Sequence, residues 1–104
     1  MKRYRVLRDA ERYLDAIFLY WAERTSLEAA DRLVDAITER FWLLGEHPAA
    51  GRSCPDVARG VRCFPAGRYL IYYRNLRRGV EILNIFYGAR ERKATGRTFK
   101  SSAK

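Results

Sequence analysis

The spacing of apolar residues changes several times along the chain, and each change predicts a different element. Polar and apolar side chains alternate from Lys2 to Leu7, which predicts a short first strand. In the next segment, to about Arg24, apolar residues recur every three or four positions and predict a first helix. Its apolar stripe contains Leu14, Ile17, Phe18 and Trp21. Asp9 is placed to cap the start of this helix.

A second helix is predicted from the capping-box pattern Thr25-Ser-Leu-Glu28 to about Gly45. One of its faces carries apolar residues at helical spacing: Leu27, Ala30, Val34, Ile37, Phe41 and Leu44. The connection between the two helices is so short that they should form an antiparallel helical hairpin. The segment 46–56 is rich in Pro and Gly and is predicted to be a loop.

The stretch from Val61 to Arg92 predicts three consecutive strands separated by turns that contain glycine. In the middle strand, Tyr69, Ile71 and Tyr73 should face one way while Leu70 and Tyr72 face the other. Both sets are apolar or aromatic, as in an inner strand that is covered on each face.

These elements predict an α+β fold with the order β-α-α-β-β-β. The helical hairpin should pack on a small, mostly antiparallel sheet. Residues 1–92 form one domain in this prediction, and the polar, basic residues 93–104 form a tail that we expect to be mobile.

Positive charge is concentrated in the C-terminal half of this 104-residue chain, which has a formal net charge of +9. From Arg59 onward there are twelve Lys and Arg against Glu81 and Glu91, whereas residues 1–58 carry nine basic and ten acidic side chains. Such a balance favours an acidic partner: nucleic acid, an acidic protein or a membrane surface. A basic surface without a dedicated partner is the alternative.

The sequence contains few of the residue types that catalysis requires. Cys54, Cys63 and His47 are too few and too scattered for a metal centre, so we expect reduced, structural thiols, no metal and no cofactor. Metal-free RNA cleavage needs positioned cations and a proton acceptor. Cations and hydroxyls could come from the sheet (Arg62, Arg68, Arg90 and Tyr69 or Tyr87), but no base stands beside them. Basic residues interleaved with aromatics also describe a nucleic-acid platform.

The first helix has more apolar surface than one stripe requires. Tyr13 and Tyr20 lie together on a flank of that stripe, and Ala16 and Leu19 point nearly opposite to it. The helix could need this surface to contact both its partner helix and the sheet, or the surface could be an exposed strip for another chain. No apolar run is long enough to span a membrane and no signal peptide is evident, which predicts a cytoplasmic protein.

An ordered set of short motifs resembles the ParE/RelE superfamily of bacterial type II toxin–antitoxin toxins. These motifs are Ala10-x-x-x-Leu14-x-x-Ile17, Ala29-Ala30, Leu44-x-x-x-Pro48-x-x-Gly51-Arg52, Gly60-Val-Arg62, Gly67-Arg-Tyr69-Leu-Ile-Tyr72-Tyr-Arg74, Glu81-Ile82 and Tyr87-Gly88-Ala-Arg90-Glu91. The resemblance covers roughly residues 3–92. It implies the same order of strands and helices as the apolar pattern predicts.

The resemblance implies one of two targets. RelE-like members cleave mRNA on the ribosome, and ParE-like members poison DNA gyrase. Where RelE-like chains carry a catalytic arginine, this chain has Tyr69. Where they carry the earlier of their lysines, this chain has Gly60. Only Arg62 and Arg90 keep positive charge at such positions, so the resemblance is closer to ParE.

Gyrase inhibition is therefore the leading hypothesis, and a ribosome-dependent endoribonuclease is the alternative. A protein with the toxin fold that only binds its partner and represses transcription is a third hypothesis. Residues implied for target binding are Arg62, Arg68, Tyr69, Arg90 and Arg92; the nuclease alternative would use Arg62, Arg90 and Tyr87. ParE-like chains usually have histidine where Tyr87 stands.

The family resemblance also implies an acidic antitoxin that wraps the toxin, so the two chains would form a hetero-oligomer. Residues suited to this contact are Tyr13, Ala16, Leu19, Tyr20, Trp42 and Arg74. Operator DNA would be bound only indirectly, through the antitoxin, and no membrane partner is implied.

Overall fold

The computed structural model describes residues 2–88, and it has two helices packed on a five-stranded sheet. The elements in chain order are β1 (Tyr4–Val6), α1 (Arg8–Arg24), α2 (Leu27–Glu46), a 3-10 turn (Pro48–Ala50), β2 (Arg52–Ser53), β3 (Arg62–Ala66), β4 (Tyr69–Asn75) and β5 (Val80–Tyr87). The predicted α+β fold is confirmed. The segment predicted as a loop contains the 3-10 turn and the short strand β2. The predicted tail, residues 93–104, lies outside the described residues.

The sheet has the strand order β1-β5-β4-β3-β2. β1 runs parallel to β5, and all the other pairs are antiparallel. The helical hairpin makes this parallel pairing possible, because parallel neighbours need a long crossover connection. The first strand of the chain consequently lies beside the last one at an edge of the sheet.

Two apolar clusters cover the two faces of the sheet. The helices bury Ile17, Ile37 and Phe41 against one face, where β4 contributes Tyr69, Ile71 and Tyr73. On the opposite face, residues 54–61 cover a smaller cluster that includes Val57, Cys63, Tyr72, Leu83 and Phe86. The predicted division of the β4 side chains between two covered faces is confirmed.

Both predicted helix starts are wrong by one or two residues. α1 begins at Arg8 with Leu7 in the cap position and no side-chain cap, so Asp9 lies in the first turn. The backbone N–H of Leu7 donates to the Ile82 carbonyl, so the helix follows directly after the strand pairing. α2 is capped by Ser26, whose Oγ accepts a hydrogen bond from the Ala29 N–H.

Cys54 and Cys63 form a disulfide, so the prediction of reduced thiols is wrong for this structure. The chain between them folds back on itself, since the Cys54 N–H donates to the Val61 carbonyl at 2.8 Å. This turn brings the two Cα atoms to 6.2 Å, within the range that a disulfide spans. A separation of nine positions in sequence gave no indication of the pairing.

Candidate functional site

A cleft of about 350 Å³ lies between α1 and one end of the sheet. It is lined mainly by aromatic and aliphatic side chains: Tyr13, Ala16, Ile17, Tyr20 and Trp21 of α1, Tyr69 of β4, and Ile85 and Tyr87 of β5. We call it the aromatic cleft. Its walls come from the helix flank that carries the surplus apolar residues and from the helix-facing side chains of β4 and β5.

Hydrogen bonds and ring contacts hold the floor of the aromatic cleft in place. The Trp21 Nε1–H donates to the Tyr69 hydroxyl at 2.8 Å, which ties α1 to β4. The rings of Tyr69 and Tyr87 meet edge to face with centroids 5.2 Å apart. Tyr69 is buried, whereas Tyr87 is 39% exposed at the mouth. The cleft is therefore largely preformed.

Arg68 stands at the rim of the aromatic cleft. Arg68 Nη1 donates to the Tyr87 hydroxyl at 3.4 Å. This hydrogen bond raises the pKa of Arg68 above its ordinary value, so the side chain carries a positive charge at any physiological pH. An apolar cleft with a cation at its edge suits a peptide that presents bulky apolar side chains next to an acidic one.

The apolar surface continues from the aromatic cleft along the outside of α1. Leu19 is 61% exposed and lies one turn from Ala16, while Tyr20 at the mouth is 47% exposed. Arg24 stacks on the Tyr20 ring, with its guanidinium carbon 3.8 Å from the ring centroid. Exposed aromatic and aliphatic side chains around a preformed cleft are typical of a protein-binding surface.

The structure brings together some of the residues predicted for antitoxin contact and separates others. Tyr13, Ala16 and Tyr20 line the aromatic cleft, and Leu19 lies beside it. Trp42 is 45% exposed on α2, where its ring packs edge to face against Tyr4. Arg74 also lies away from the cleft, near the far end of β4.

Among the residues predicted for target binding, the three that the structure describes do not form one cluster. Arg62 holds the chain after α2, because its Nη2 and Nε donate to the Gly51 carbonyl at 2.7 and 3.1 Å. Arg68 stands at the cleft rim, and Tyr69 is part of its floor. Arg90 and Arg92 lie outside the described residues.

The loop that Arg62 holds is also fixed by a buried tyrosine. The Tyr73 hydroxyl donates to the Pro48 carbonyl at 2.7 Å and accepts a hydrogen bond from the Gly51 N–H at 2.9 Å. No room remains at Gly51, where an added Cβ would come within 2.5 Å of this hydroxyl. Arg62, Tyr73 and Gly51 therefore act together in anchoring this part of the chain to the sheet.

A buried carboxylate on the other face of the sheet joins three strands. Glu81 of β5 pairs across the sheet with Arg5 of β1 and with Arg74 of β4. Arg5 Nη2 lies 2.9 Å from one carboxylate oxygen and Arg74 Nη2 lies 2.8 Å from the other. Burial alone would raise the pKa of Glu81, but the hydrogen bonds and charges of Arg74 and Arg5 outweigh it, so that the pKa is lowered.

The sequence does not indicate that Ile17, Trp21 and Ile85 line the cleft, or that Glu81 joins three strands. The spacing of Trp21 predicts that it belongs to the apolar stripe of α1, and nothing local marks its contact with Tyr69. Among the described residues there is no group of three or more His, Cys, Asp or Glu that could hold a metal ion. None of the described helices is both long and apolar enough to cross a bilayer.

Comparisons with known proteins agree with the fold. A family model described as the ParE toxin of the type II toxin–antitoxin system parDE matches residues 4–92. Toxin ParE1 of Caulobacter vibrioides is 30% identical over 87 residues, which cover 84% of this chain and 90% of that protein. A solved structure described as the chromosomal ParDE toxin–antitoxin system from P. aeruginosa superposes with a TM-score of 0.73. That match covers 85% of this chain and 97% of the other at 24% identity, so it shows a shared fold.

Proposed function

Since this chain belongs to the ParE toxin family of type II toxin–antitoxin systems, we propose that it inhibits DNA gyrase and is neutralised by a cognate antitoxin. The antitoxin would be a small acidic chain encoded beside the toxin gene. Its apolar side chains would fill the aromatic cleft, and an acidic side chain would pair with Arg68. The two chains would form a hetero-oligomer in the cytoplasm.

The preformed aromatic cleft is the observation that carries the antitoxin part of this proposal. The bond between Trp21 and Tyr69 fixes its floor before any partner arrives, so binding there would cost little ordering of the toxin. Tyr20 and Leu19 extend the apolar surface outward by one helical turn, which matches the spacing of anchor residues on a docked helix.

We expect Tyr20→Ala to weaken antitoxin binding about thirtyfold, because truncation of an aromatic anchor residue typically costs about 2 kcal/mol or more. Ala16→Trp should have a similar effect by filling the cleft. Isothermal titration calorimetry or biolayer interferometry with the purified antitoxin measures both. Leu27→Ala is the control, since Leu27 is 65% exposed at the start of α2 and does not line the cleft. Equal losses for Tyr20→Ala and Leu27→Ala would contradict the proposed site.

The gyrase part of the proposal rests on family membership and on two features that disfavour the nuclease alternative. Tyr69 takes the place of a catalytic arginine and is buried in the cleft floor. Arg62 is engaged by backbone carbonyls of the loop at 49–51. Neither side chain is therefore placed as a surface cation for RNA.

Purified gyrase provides the direct test of the target. We expect the free toxin to inhibit supercoiling or to accumulate cleavage complexes, and the antitoxin to reverse this effect. In cells, separate labelling of DNA, RNA and protein synthesis after induction should show that DNA synthesis stops first. Translation arrest with ongoing DNA synthesis, together with new mRNA ends that Arg62→Ala abolishes, would favour the endoribonuclease instead.

A further inference from the structure

A cluster of arginines is assembled at the end of the sheet opposite to the aromatic cleft. Arg74 lies near the end of β4, Arg77 and Arg78 lie in the turn before β5, and Arg3 and Arg5 come from the N-terminal segment. We call these five residues the hairpin patch. The only acidic residue between positions 74 and 81 is Glu81. The five arginines and Glu81 together carry a formal charge of +4, five positive charges less one negative charge.

The N-terminal segment is held tightly against the β4–β5 turn. The Val80 N–H donates to the Arg3 carbonyl at 3.0 Å, and the Leu76 N–H donates to the Gly79 carbonyl at 2.9 Å. Gly79 has a φ of +88°, and a Cβ on it would come within 1.9 Å of the Arg3 carbonyl oxygen. Arg3 therefore lies directly beside the turn that carries Arg77 and Arg78.

Two guanidinium groups of the hairpin patch are held in fixed positions. Arg5 and Arg74 lie on the two strands that flank β5, one on each side of Glu81. These two strands are about 10 Å apart, which is twice the distance between neighbouring strands. Each donates to one carboxylate oxygen, yet their side chains are 66% and 57% exposed. Within residues 2–88 neither Arg3, Arg77 nor Arg78 makes an ion pair. The patch thus combines two positioned cations with three that are not neutralised.

We propose that the hairpin patch binds the phosphate backbone of duplex DNA. Arginine forks match phosphate oxygens in a bidentate manner, and several of them on one surface neutralise neighbouring phosphates. Protein–protein interfaces need apolar or aromatic anchors, whereas DNA interfaces are polar and strongly positive. None of the large hydrophobic side chains that are exposed in the described chain lies between residues 74 and 81.

Such binding goes beyond the proposed toxin function and would be compatible with an occupied aromatic cleft. β4 separates the two sites by its seven residues, a distance of about 20 Å. An antitoxin in the cleft would leave the hairpin patch accessible. The toxin would then contact DNA directly, in addition to the indirect contact through an antitoxin that the family resemblance implies.

The test measures how the affinity for a labelled duplex of about 20 base pairs depends on salt. Fluorescence anisotropy gives this affinity at salt concentrations between about 50 and 200 mM. The full chain is purified free of its antitoxin. If about four charges contact phosphates, the slope of log affinity against log salt is about −3.6. Arg77→Ala with Arg78→Ala removes two contacts, so the slope becomes shallower by about 1.8.

The control variant, Arg32→Ala with Arg59→Ala, removes the same charge from two exposed residues outside the patch. We expect it to keep the wild-type slope, and thermal unfolding verifies that both variants are folded. Tyr20→Ala should also keep the slope, which separates this inference from the proposed antitoxin site. The inference is wrong if both double variants change the slope equally, if the patch variant leaves it unchanged, or if a polyglutamate peptide binds as tightly as the duplex.

Discussion

Glu81 is a buried carboxylate whose two oxygens are each occupied by an arginine from a different neighbouring strand. The carboxylate loses its hydration on folding, and the Arg5 and Arg74 hydrogen bonds replace the lost water contacts. Because both arginines are more than half exposed, their attraction is screened by solvent. The two ion pairs should therefore stabilise the sheet only moderately. Their main effect is that the buried carboxylate of Glu81 is not left without hydrogen-bond partners.

We expect Glu81→Gln to lower the free energy of unfolding by about 1–2 kcal/mol at pH 7, because charge-assisted hydrogen bonds are lost. The loss is no larger because solvent screens the charges of the two exposed arginines. The pKa of Glu81 is lowered in the folded state, so its contribution is present above the ordinary glutamate pKa of about 4.3. That contribution is lost as the pH falls through the lowered value. The difference between wild type and variant should shrink in acid.

Urea unfolding of both proteins at pH 7 and at about pH 3 measures this difference across the titration of a carboxylate. Glu39→Gln serves as the control at pH 7, because Glu39 is exposed on α2 and makes no ion pair with a described residue. A constant difference at both pH values for Glu81→Gln would show that the charge of Glu81 is not what stabilises the sheet.

For Tyr69, the sequence predicts the face of the sheet on which the side chain lies but not the hydrogen bond that its hydroxyl makes. The alternation along β4 correctly predicted that Tyr69 shares a face with Ile71 and Tyr73, and the structure shows that the helices cover this face. The sequence could not show that its hydroxyl accepts a hydrogen bond from Trp21, which lies 48 positions earlier. A tyrosine that replaces a charged residue could equally have been a surface group, and only the packing of α1 buries it.

The sequence motif at the start of α2 does not decide which residue caps the helix. Thr25, Ser26 and Glu28 fit more than one cap because Thr and Ser can both accept a hydrogen bond from the first turn. The choice is made by α1, since the Thr25 N–H and Oγ1 both donate to the Trp21 carbonyl at its C-terminus. Ser26 is then the first residue with an extended backbone and becomes the cap of α2.

Ser26→Ala should lower the free energy of unfolding by about 1 kcal/mol, the usual cost of removing an N-cap side chain. Thr25→Ala removes only an exposed bond to a helix-end carbonyl and should cost less than about 0.5 kcal/mol. Chemical denaturation of the two variants side by side is the measurement. A larger effect for Thr25→Ala would instead support the capping box that the sequence predicts from Thr25 and Glu28.

The whole molecule separates an apolar site from a cationic one along the same two strands. The aromatic cleft lies at the end of β4 and β5 where Tyr69 and Tyr87 pair, and the hairpin patch lies where Arg74 and Glu81 pair. β5, which connects the two ends, is buried along nearly its whole length. The two surfaces should therefore bind their partners without competing.

We expect Arg77→Ala with Arg78→Ala to change antitoxin affinity by less than about twofold. Combined with Tyr20→Ala, its effect should be additive within about 0.5 kcal/mol, because sites more than about 10 Å apart rarely couple. Titration calorimetry with the four proteins of this double-mutant cycle is the measurement. Coupling above about 1 kcal/mol would indicate that the antitoxin reaches both ends of the sheet.

The sequence by itself determined the two helices, the three C-terminal strands and the faces that they bury, because hydrophobic periodicity is a local property. It also carried the family resemblance, with which the match of residues 4–92 agrees. Only the tertiary structure decided the disulfide, the parallel pairing of β1, the aromatic cleft and the hairpin patch. These features depend on residues far apart in the chain, such as Arg5 and Glu81 at a separation of 76, and such contacts leave no local periodic signal.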